Sequence, residues 1–264
     1  MTEPLPLARP EIDDADRAAV AAVLASGTLS LGGRLVEFER QMAQTCGVAG
    51  AVGVSSGTAG LILALEALGV GPGDEVITPS FTFVATANAV RLVGALPVFA
   101  DIDPDTLDLA PAAAAAAVNP RTRALLAVDV FGRPAPMDDL AELAGQHDLG
   151  LLEDACEALG ASSRGRPAGS LGHVGVFGFY PNKIITCGEG GMIVSDDETL
   201  LDRCRRARNH GREGGGADFA GDRPGHNFRL SELQAALGAS QLTRLADRVA
   251  ARARVAAAYD ERLA

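Results

Sequence analysis

Lys183 lies among apolar and aromatic residues, in a segment whose composition could support covalent amine chemistry. The segment runs from Phe177 to Gly191 and continues past Lys183 into a glycine-rich turn. Alternating apolar residues before it predict a buried strand, which Pro181 ends because proline cannot donate a backbone hydrogen bond. Desolvation disfavours the ammonium form of such a lysine, and a neutral amine is what Schiff-base formation requires. The alternative interpretation is an ordinary solvated loop lysine.

Three carboxylates lie at the end of an earlier predicted strand, Leu149 to Glu153, or just after it. They belong to Glu153, Asp154 and Glu157. Asp154 comes directly off the strand end, so in a parallel sheet it faces the same crevice as Lys183. A carboxylate in that position could pair with a cationic ring nitrogen. A helix-capping aspartate is an equally good interpretation of the same residue.

A strand, a small-residue turn and a helix follow one another between residues 51 and 68. The turn is Ser55–Ala59, and the predicted helix begins at Gly60. This order aims free backbone N–H groups and the positive end of the helix dipole at an anion, and the small residues allow a phosphate to approach. An ordinary helix cap explains the serine and threonine equally well.

Two aromatic residues, Phe81 and Phe83, follow the predicted strand Glu75 to Thr78. Ligands of open α/β sheets bind at the carboxyl ends of the strands, so one of these rings could stack on a flat cofactor. Core packing is the competing explanation and, from these residues alone, the better one. The acidic turn Asp101–Asp105 lacks the glycine and the terminal glutamate of a calcium loop, and no metal site is expected.

Strands and helices alternate at least six times along the chain, which predicts an α/β fold with a mostly parallel sheet and flanking helices. One helix is predicted over Ser80 to Val93, and a long one from Ser231 nearly to the end. The stretch Asn209 to Arg229, which precedes the long C-terminal helix, is long, polar and rich in glycine, as functional or mobile loops often are.

Composition limits the partners that the protein can have. The 264 residues carry a net charge of −11, which argues against nucleic acids and membrane surfaces as partners. Anionic ligands must then be held by local devices such as helix N-termini or single arginines. The four cysteines lack a CxxC spacing and are expected to be free thiols in a reducing compartment. With neither a membrane-spanning stretch nor a signal sequence evident, a cytoplasmic protein is expected.

Taken together, these motifs resemble the DegT/DnrJ/StrS family of sugar aminotransferases, which are pyridoxal-phosphate enzymes of fold type I. The resemblance covers nearly the whole chain. It implies a cofactor-binding large domain with an N-terminal helical segment over residues 1–240. Residues 241–264 would begin a C-terminal small domain that is otherwise largely absent. The motifs that carry the resemblance are Ser55–Ala59, Gly71–Thr86, Glu153–Ala155, Phe179–Lys183, Gly188–Gly191 and Asn227–Leu230.

The resemblance also implies roles for single residues. Lys183 would hold pyridoxal phosphate through a Schiff base, and Asp154 would keep the ring nitrogen protonated. Phe83 would stack on the ring. Asn227 would reach the cofactor phosphate of a neighbouring subunit, which implies a homodimer with shared sites. The remaining cofactor-binding positions are Ser56, Gly57 and Thr58 at the phosphate, with Glu157 and Gly178 as departures from the Gln or His and the Ser of many relatives.

The implied reaction moves an amino group from an amino acid, by analogy glutamate, to a nucleotide-linked keto-sugar through pyridoxamine phosphate. Such reactions serve the biosynthesis of amino sugars, polysaccharides or glycosylated metabolites. A pyridoxal-phosphate sugar dehydratase is one alternative, although relatives with that activity replace the lysine by histidine. A non-catalytic regulator that binds the cofactor or a nucleotide sugar is another. A plain dinucleotide-binding domain is disfavoured because no GxGxxG turn follows the first strand.

Overall fold

The computed structural model describes residue 6, residues 8–212 and residues 224–263, and it shows strands alternating with helices. In this part of the chain the helices are α1 (Asp14–Ser26), α2 (Gly33–Cys46), α3 (Gly57–Ala67), α4 (Val84–Leu92), α5 (Pro111–Ala117), α6 (Met137–His147), α7 (Glu198–Ala207), α8 (Glu232–Leu242) and α9 (Leu245–Leu263). The strands are β1 (Gly50–Val54), β2 (Glu75–Pro79), β3 (Leu96–Ala100), β4 (Thr122–Val128), β5 (Gly150–Asp154), β6 (Ser162–Ser163), β7 (Arg166–Pro167), β8 (Val174–Gly178) and β9 (Gly191–Ser195).

Seven of the strands in the described residues form one sheet, in the order β1-β9-β8-β5-β4-β2-β3. The strands β8, β5, β4, β2 and β3 run parallel to one another, whereas β9 runs antiparallel to its neighbours β1 and β8. Helices lie between most of the parallel strands along the chain, as crossover connections require. The predicted class, α/β with a mostly parallel sheet and flanking helices, is confirmed.

Helices cover both faces of the sheet because side chains alternate between the faces along each strand. Leu152 and Val176 pack with the apolar residues of α3, α4 and α7. Leu151 packs with α5 and α6 on the other face, where Phe177 packs with α2 and α8. Within the described residues, no helix has both the length and the apolar composition that crossing a bilayer requires.

The strands that run in one direction end at a common edge of the sheet. Ser56 follows β1, and Phe83 follows β2. Phe131 follows β4 in a short turn, Asp154 ends β5, and Lys183 follows β8. This edge is where open α/β sheets bind ligands, so the fold brings segments from five strands to one place.

Three predicted helices differ from the observed ones. The helix after β1 begins at Gly57 rather than Gly60, so part of the predicted turn is already helical. The helix after β2 begins at Val84 rather than Ser80, because Phe83 is still extended, with φ −68° and ψ 140°. The long C-terminal helix is divided into α8 and α9. At the division the Thr243 hydroxyl donates to the Ser240 carbonyl, and the Arg244 side chain turns towards Asp16. The boundary between a large domain 1–240 and a small domain 241–264 stays a prediction.

Candidate active site

A cavity of about 670 Å³ opens at the carboxyl edge of the sheet. The structure brings eight of the nine predicted site residues together in its wall, and Asn227 is the exception. These eight residues come from segments that follow four different strands. They are Ser56, Gly57, Thr58, Phe83, Asp154, Glu157, Gly178 and Lys183.

The N-terminus of α3 forms one end of the cavity. Ser56 is the extended residue before the helix, and its hydroxyl oxygen accepts the Ala59 N–H at 3.0 Å. The Ser56 carbonyl accepts the Gly60 N–H at 3.0 Å. The N–H groups of Gly57 and Thr58 lie in the first turn of the helix, where no carbonyl of the helix can accept them. They are therefore suited to bind an anion at the positive end of the helix dipole.

Gly57 also packs closely against the opposite wall. A Cβ on Gly57 would lie 2.9 Å from the Cys156 sulfur and 3.3 Å from the Gly178 Cα. A Cβ on Gly178 would in turn lie 3.4 Å from the same sulfur. Cys156 itself is a wall residue that the sequence analysis treated only as a free thiol. Burial and the charge of Asp154 raise the pKa of this thiol well above its usual range, so it remains protonated.

Asp154 is a buried carboxyl at the end of β5, with 7% of its surface exposed. The Thr86 hydroxyl donates to Oδ2 at 2.9 Å, and the Cys156 N–H donates to Oδ1 at 3.3 Å. Burial raises the pKa of this carboxyl, while its hydrogen bonds and the Lys183 charge oppose that shift. Among the described residues no cation lies within ion-pair distance of it, so a cationic ligand atom would complete its environment.

Lys183 lies in the turn after β8, where its N–H donates to the Tyr180 carbonyl at 2.9 Å. Its side chain is 21% exposed, and Nζ lies 3.3 Å from Glu157 Oε1. Lys183 and Asp154 therefore line the same cavity rather than opposite faces of the sheet. Lys183 is also the only lysine in the sequence, a fact that the sequence analysis did not use.

Glu157 links two parts of the site. Besides the contact with Lys183, its Oε2 accepts the Phe131 N–H at 3.0 Å. Its carboxylate is thus occupied by an ammonium and an amide, and this pairing offsets its negative charge in the cavity. Glu157 was expected in the site from the family resemblance, whereas neither of its partners is evident from the sequence.

Phe131 is a functional candidate that sequence reasoning missed. It has φ 55° and ψ 20°, a left-handed conformation that costs a non-glycine residue about 1 kcal/mol or more. Its ring is 75% exposed and meets the Phe81 ring edge-on at 5.9 Å. Phe83, which is 77% exposed, lines the same cavity. Exposed aromatic rings at a cavity mouth are suited to stacking on flat ligands.

The three carboxylates near the end of β5 have different environments. Glu153 is buried, and its carboxylate accepts the N–H groups of Gly169 and Leu171. It lies beside Asp129, another acid that sequence reasoning missed, and Asp129 Oδ1 accepts the Ala135 N–H at 3.0 Å. Burial and the charge of Glu153 raise the pKa of Asp129 to about 9, so the pair holds a proton at neutral pH.

Asn227 lies outside the cavity of its own chain. It is exposed and forms an isolated antiparallel bridge with Asn209. Much of the loop that precedes it, residues 213–223, falls outside the described residues. A contact between Asn227 and a cofactor in a neighbouring subunit stays a prediction.

The residues of the cavity fit the cofactor that the family resemblance implies. Pyridoxal phosphate carries an aldehyde, a phosphate and a basic ring nitrogen. Lys183 could hold the aldehyde, and the N–H groups of Gly57 and Thr58 could hold the phosphate. Asp154, a buried acid that faces the cavity without a cationic partner in the described part of the chain, suits the ring nitrogen.

Comparison with known proteins adds independent information on this site. The model of a family described as DegT/DnrJ/EryC1/StrS aminotransferases matches residues 10–264. The chain is 43% identical over 259 residues to GDP-perosamine synthase from Caulobacter vibrioides, and the match covers 98% of this chain and 70% of that protein.

Solved structures also resemble the chain in both fold and sequence, and two of them illustrate how far the likeness extends. One is DesV from S. venezuelae in complex with a ketimine intermediate, with a TM-score of 0.84 and 45% identity over 88% of this chain and 62% of that one. The other is DesI in the presence of its TDP-sugar product, with a TM-score of 0.85 and 44% identity over 94% of this chain and 62% of that one.

The chain therefore spans less than the full length of these proteins, between 62% and 70%. Within that span the family model matches every segment that forms the cavity. The sequence match and the shared fold agree with the resemblance that the motifs had indicated. The chain belongs to the DegT/DnrJ/EryC1/StrS aminotransferase family.

Proposed function

We propose that this chain transfers an amino group from an amino acid to a keto-sugar linked to a nucleotide, with pyridoxal phosphate as its cofactor. The observation that carries the proposal is the position of Lys183. The only lysine in the sequence lines one cavity together with Asp154 and the N-terminus of α3. An amine, a buried acid and an anion-binding helix end are the groups that this cofactor needs.

The substrate class rests on the relatives. GDP-perosamine synthase is named for an amino sugar joined to a nucleotide, and DesI was solved with a TDP-sugar product. Both names support a nucleotide-linked sugar as the acceptor of the amino group. Glutamate is proposed as the donor by analogy with the family.

The residues of the chain have separable tasks in this reaction. When bound, pyridoxal phosphate supplies an aldehyde that joins primary amines and a ring that withdraws electrons. Asp154 would keep the ring nitrogen protonated, because a buried carboxylate favours a cationic partner. Lys183 Nζ would take the proton from the amine-bearing carbon of the donor as general base, and would supply a proton as general acid to the sugar carbon that receives the amino group. Glu157, at 3.3 Å, accepts a hydrogen bond from Nζ while that amine is charged.

We propose that the protein works as a homodimer whose two sites are shared across the interface. The support is that Asn227, at the position of a cofactor-binding asparagine in the family, is exposed and outside its own cavity. A second subunit could bring this side chain to the phosphate end of the site.

We also propose a cytoplasmic location. All four cysteines are free thiols: Cys46, Cys187 and Cys204 are buried, and Cys156 is partly exposed. Reducing compartments maintain cysteines in this state. The test is fractionation of the native host, with an antibody against the chain.

The proposed cofactor is tested by reduction with borohydride after incubation with pyridoxal phosphate. We expect a stable label on the peptide that contains Lys183 and loss of that label in Lys183→Ala. Because the sequence has a single lysine, the α-amino group is the only other primary amine, and peptide mapping separates the two sites. Lys183→Arg is the matched control that keeps the positive charge and cannot form the bond.

Transfer of the amino group is measured separately. Protein loaded with pyridoxal phosphate, and not treated with borohydride, is incubated with glutamate and a panel of nucleotide keto-sugars. Formation of 2-oxoglutarate and an amino sugar supports the proposal. Loss of water from the sugar without uptake of nitrogen would indicate the dehydratase instead. Binding of cofactor and sugar without any turnover would indicate the regulator.

A further inference from the structure

A second, smaller cavity adjoins the first on the other side of Lys183. It has a volume of about 250 Å³ and shares Phe131, Glu157, Asn182 and Lys183 with the larger one. Its wall also contains Arg252, which comes from α9 and is far from the other site residues in sequence. The smaller cavity therefore joins the reactive amine to a guanidinium that the proposed mechanism does not use.

Arg252 belongs to a row of arginines on α9 and the turn before it, at positions 244, 248 and 252. Arg244 forms ion pairs with Asp13 at 3.0 Å and Asp16 at 2.9 Å. Arg248 donates to the Glu11 carbonyl at 3.1 Å. These contacts hold the start of α9 against the N-terminal segment.

Arg252 has a different environment from Arg244. It donates one hydrogen bond, from Nη2 to the Asn182 carbonyl at 3.3 Å. That carbonyl immediately precedes Lys183 in the chain. Among the described residues no carboxylate forms an ion pair with Arg252, although Glu157 lines the same small cavity. A guanidinium has five N–H donors in a planar fork, so most of its binding capacity remains free.

The charge of the protein makes such a cation important. The net charge is −11, and the carboxylate of Glu157 is offset only while Lys183 is an ammonium, so an anionic substrate needs a further cation in the site. Once Lys183 is covalently engaged, it no longer offers an ammonium to the substrate. Arg252 then remains as a cation at the wall of the smaller cavity.

We propose that Arg252 binds an oxyanion of the substrate in the smaller cavity. The inference rests on the proposed function, because it assumes that the amine of the substrate reacts beside Lys183. In an amino-acid donor the carboxylate is attached to the carbon that carries the reacting amine. It must therefore lie close to Lys183 Nζ, where the smaller cavity begins. The diphosphate of a nucleotide sugar offers the same oxyanion chemistry and is distinguished by the test.

The test is isothermal titration of the protein, with and without pyridoxal phosphate, using 2-oxoglutarate and GDP as separate probes. We expect Arg252→Gln to weaken 2-oxoglutarate binding about 10-fold or more, because it removes charge-assisted hydrogen bonds. Arg252→Lys keeps the charge without the fork and should recover part of the affinity. Arg254→Gln, an exposed arginine on the same helix that lies outside both cavities, is the matched control and should bind both probes normally.

The outcomes separate the sources of the oxyanion. Weaker binding of 2-oxoglutarate alone assigns Arg252 to the donor carboxylate, and weaker binding of GDP alone assigns it to the nucleotide diphosphate. Unchanged affinity for both probes in Arg252→Gln overturns the inference, as does a wild-type protein that binds neither. The borohydride label on Lys183 is recorded in parallel. A wild-type protein without that label contradicts the proposed function, whereas a labelled Arg252→Gln protein with normal affinities contradicts this inference alone.

Discussion

Buried carboxylates in two regions of the molecule have different surroundings. The difference distinguishes acids that stabilise the fold from an acid that is suited to bind a ligand. Asp16, on α1, is fully buried and accepts hydrogen bonds from Ser240, Gln241 and Arg244. Burial opposes its ionisation, but these donors outweigh burial and lower the pKa of Asp16. Asp154 accepts hydrogen bonds only from neutral groups among the described residues, and burial raises its pKa.

Glu232 extends the comparison within the structural region. Its buried carboxylate accepts the backbone N–H groups of Gly32, Arg34 and Leu35 at 2.8 to 3.0 Å. It thereby caps α2 from the first turn of α8, about two hundred residues away in the chain. A buried acid that the chain itself satisfies holds the fold together. A buried acid that faces a cavity without a cationic partner among the described residues is instead suited to bind a cationic ligand atom.

The largest expected effect comes from Asp154→Asn, which replaces the acid that has only neutral donors in the described residues. Removing one partner of a buried charged pair costs several kcal/mol, so amino transfer should fall by about 100-fold or more. The free energy of unfolding without cofactor should stay the same or rise, because a neutral amide is cheaper to bury than a carboxylate. Single-turnover assays and urea unfolding measure the two quantities.

Asp16→Asn serves as the matched control for that experiment, since it removes the charge of a satisfied acid. It should destabilise the fold and leave the cofactor bound by the protein that remains folded. If Asp154→Asn destabilises the protein as much as Asp16→Asn does, Asp154 is structural and the comparison fails.

The second effect is on stability and concerns Glu232→Gln. The glutamate oxygens accept three N–H groups, and an amide nitrogen in place of one oxygen would face a donor. We expect a loss of about 1–3 kcal/mol in the free energy of unfolding, with the borohydride label on Lys183 retained. Urea denaturation measures the loss. Glu142→Gln, on the exposed surface of α6, is the control and should change stability by less than about 0.5 kcal/mol. If Glu232→Gln and Glu142→Gln were equally stable, the proposed capping of α2 by Glu232 would be contradicted.

The third effect is on the pH dependence of stability, at most about 1.4 kcal/mol for each pH unit, and concerns the acid pair Asp129 and Glu153. Asp129 has a pKa of about 9 in the folded protein and an ordinary value of 3.8 when unfolded. Between these values the folded state holds a proton that the unfolded state has lost. The free energy of unfolding should therefore decrease as pH rises through this range, by at most about 1.4 kcal/mol per pH unit.

Asp129→Asn should flatten that pH dependence. The amide oxygen can still accept the Ala135 N–H, and the amide stays neutral beside Glu153 without taking up a proton. Urea midpoints of both proteins at about pH 6 and about pH 8 measure the difference. Parallel pH profiles for the two proteins would show that the pair does not hold a proton in the folded state.

Much of the site was predictable because its signals are local. Pro181 and the alternating residues before it place Lys183 just beyond a strand, and the strand ends at Gly178 as expected within a few residues. The small-residue turn at Ser56 precedes a helix in the structure as in the sequence. Phe131 was not predictable. Phe131 has a left-handed backbone and donates its N–H to Glu157, a residue 26 positions away, and no periodic pattern in the sequence predicts that contact.

The sequence by itself determined the alternation of strands and helices, the family, and the segments that end at one edge of the sheet. The periodic spacing of hydrophobic residues and the positions of turn residues carry this information, because both depend on residues that are close together in the chain. Only the tertiary structure decided which acids are satisfied, that Glu157 pairs with Lys183, and that Arg252 lies beside that lysine. Partners of this kind come from distant segments, and their burial and distance exist only after the chain has folded.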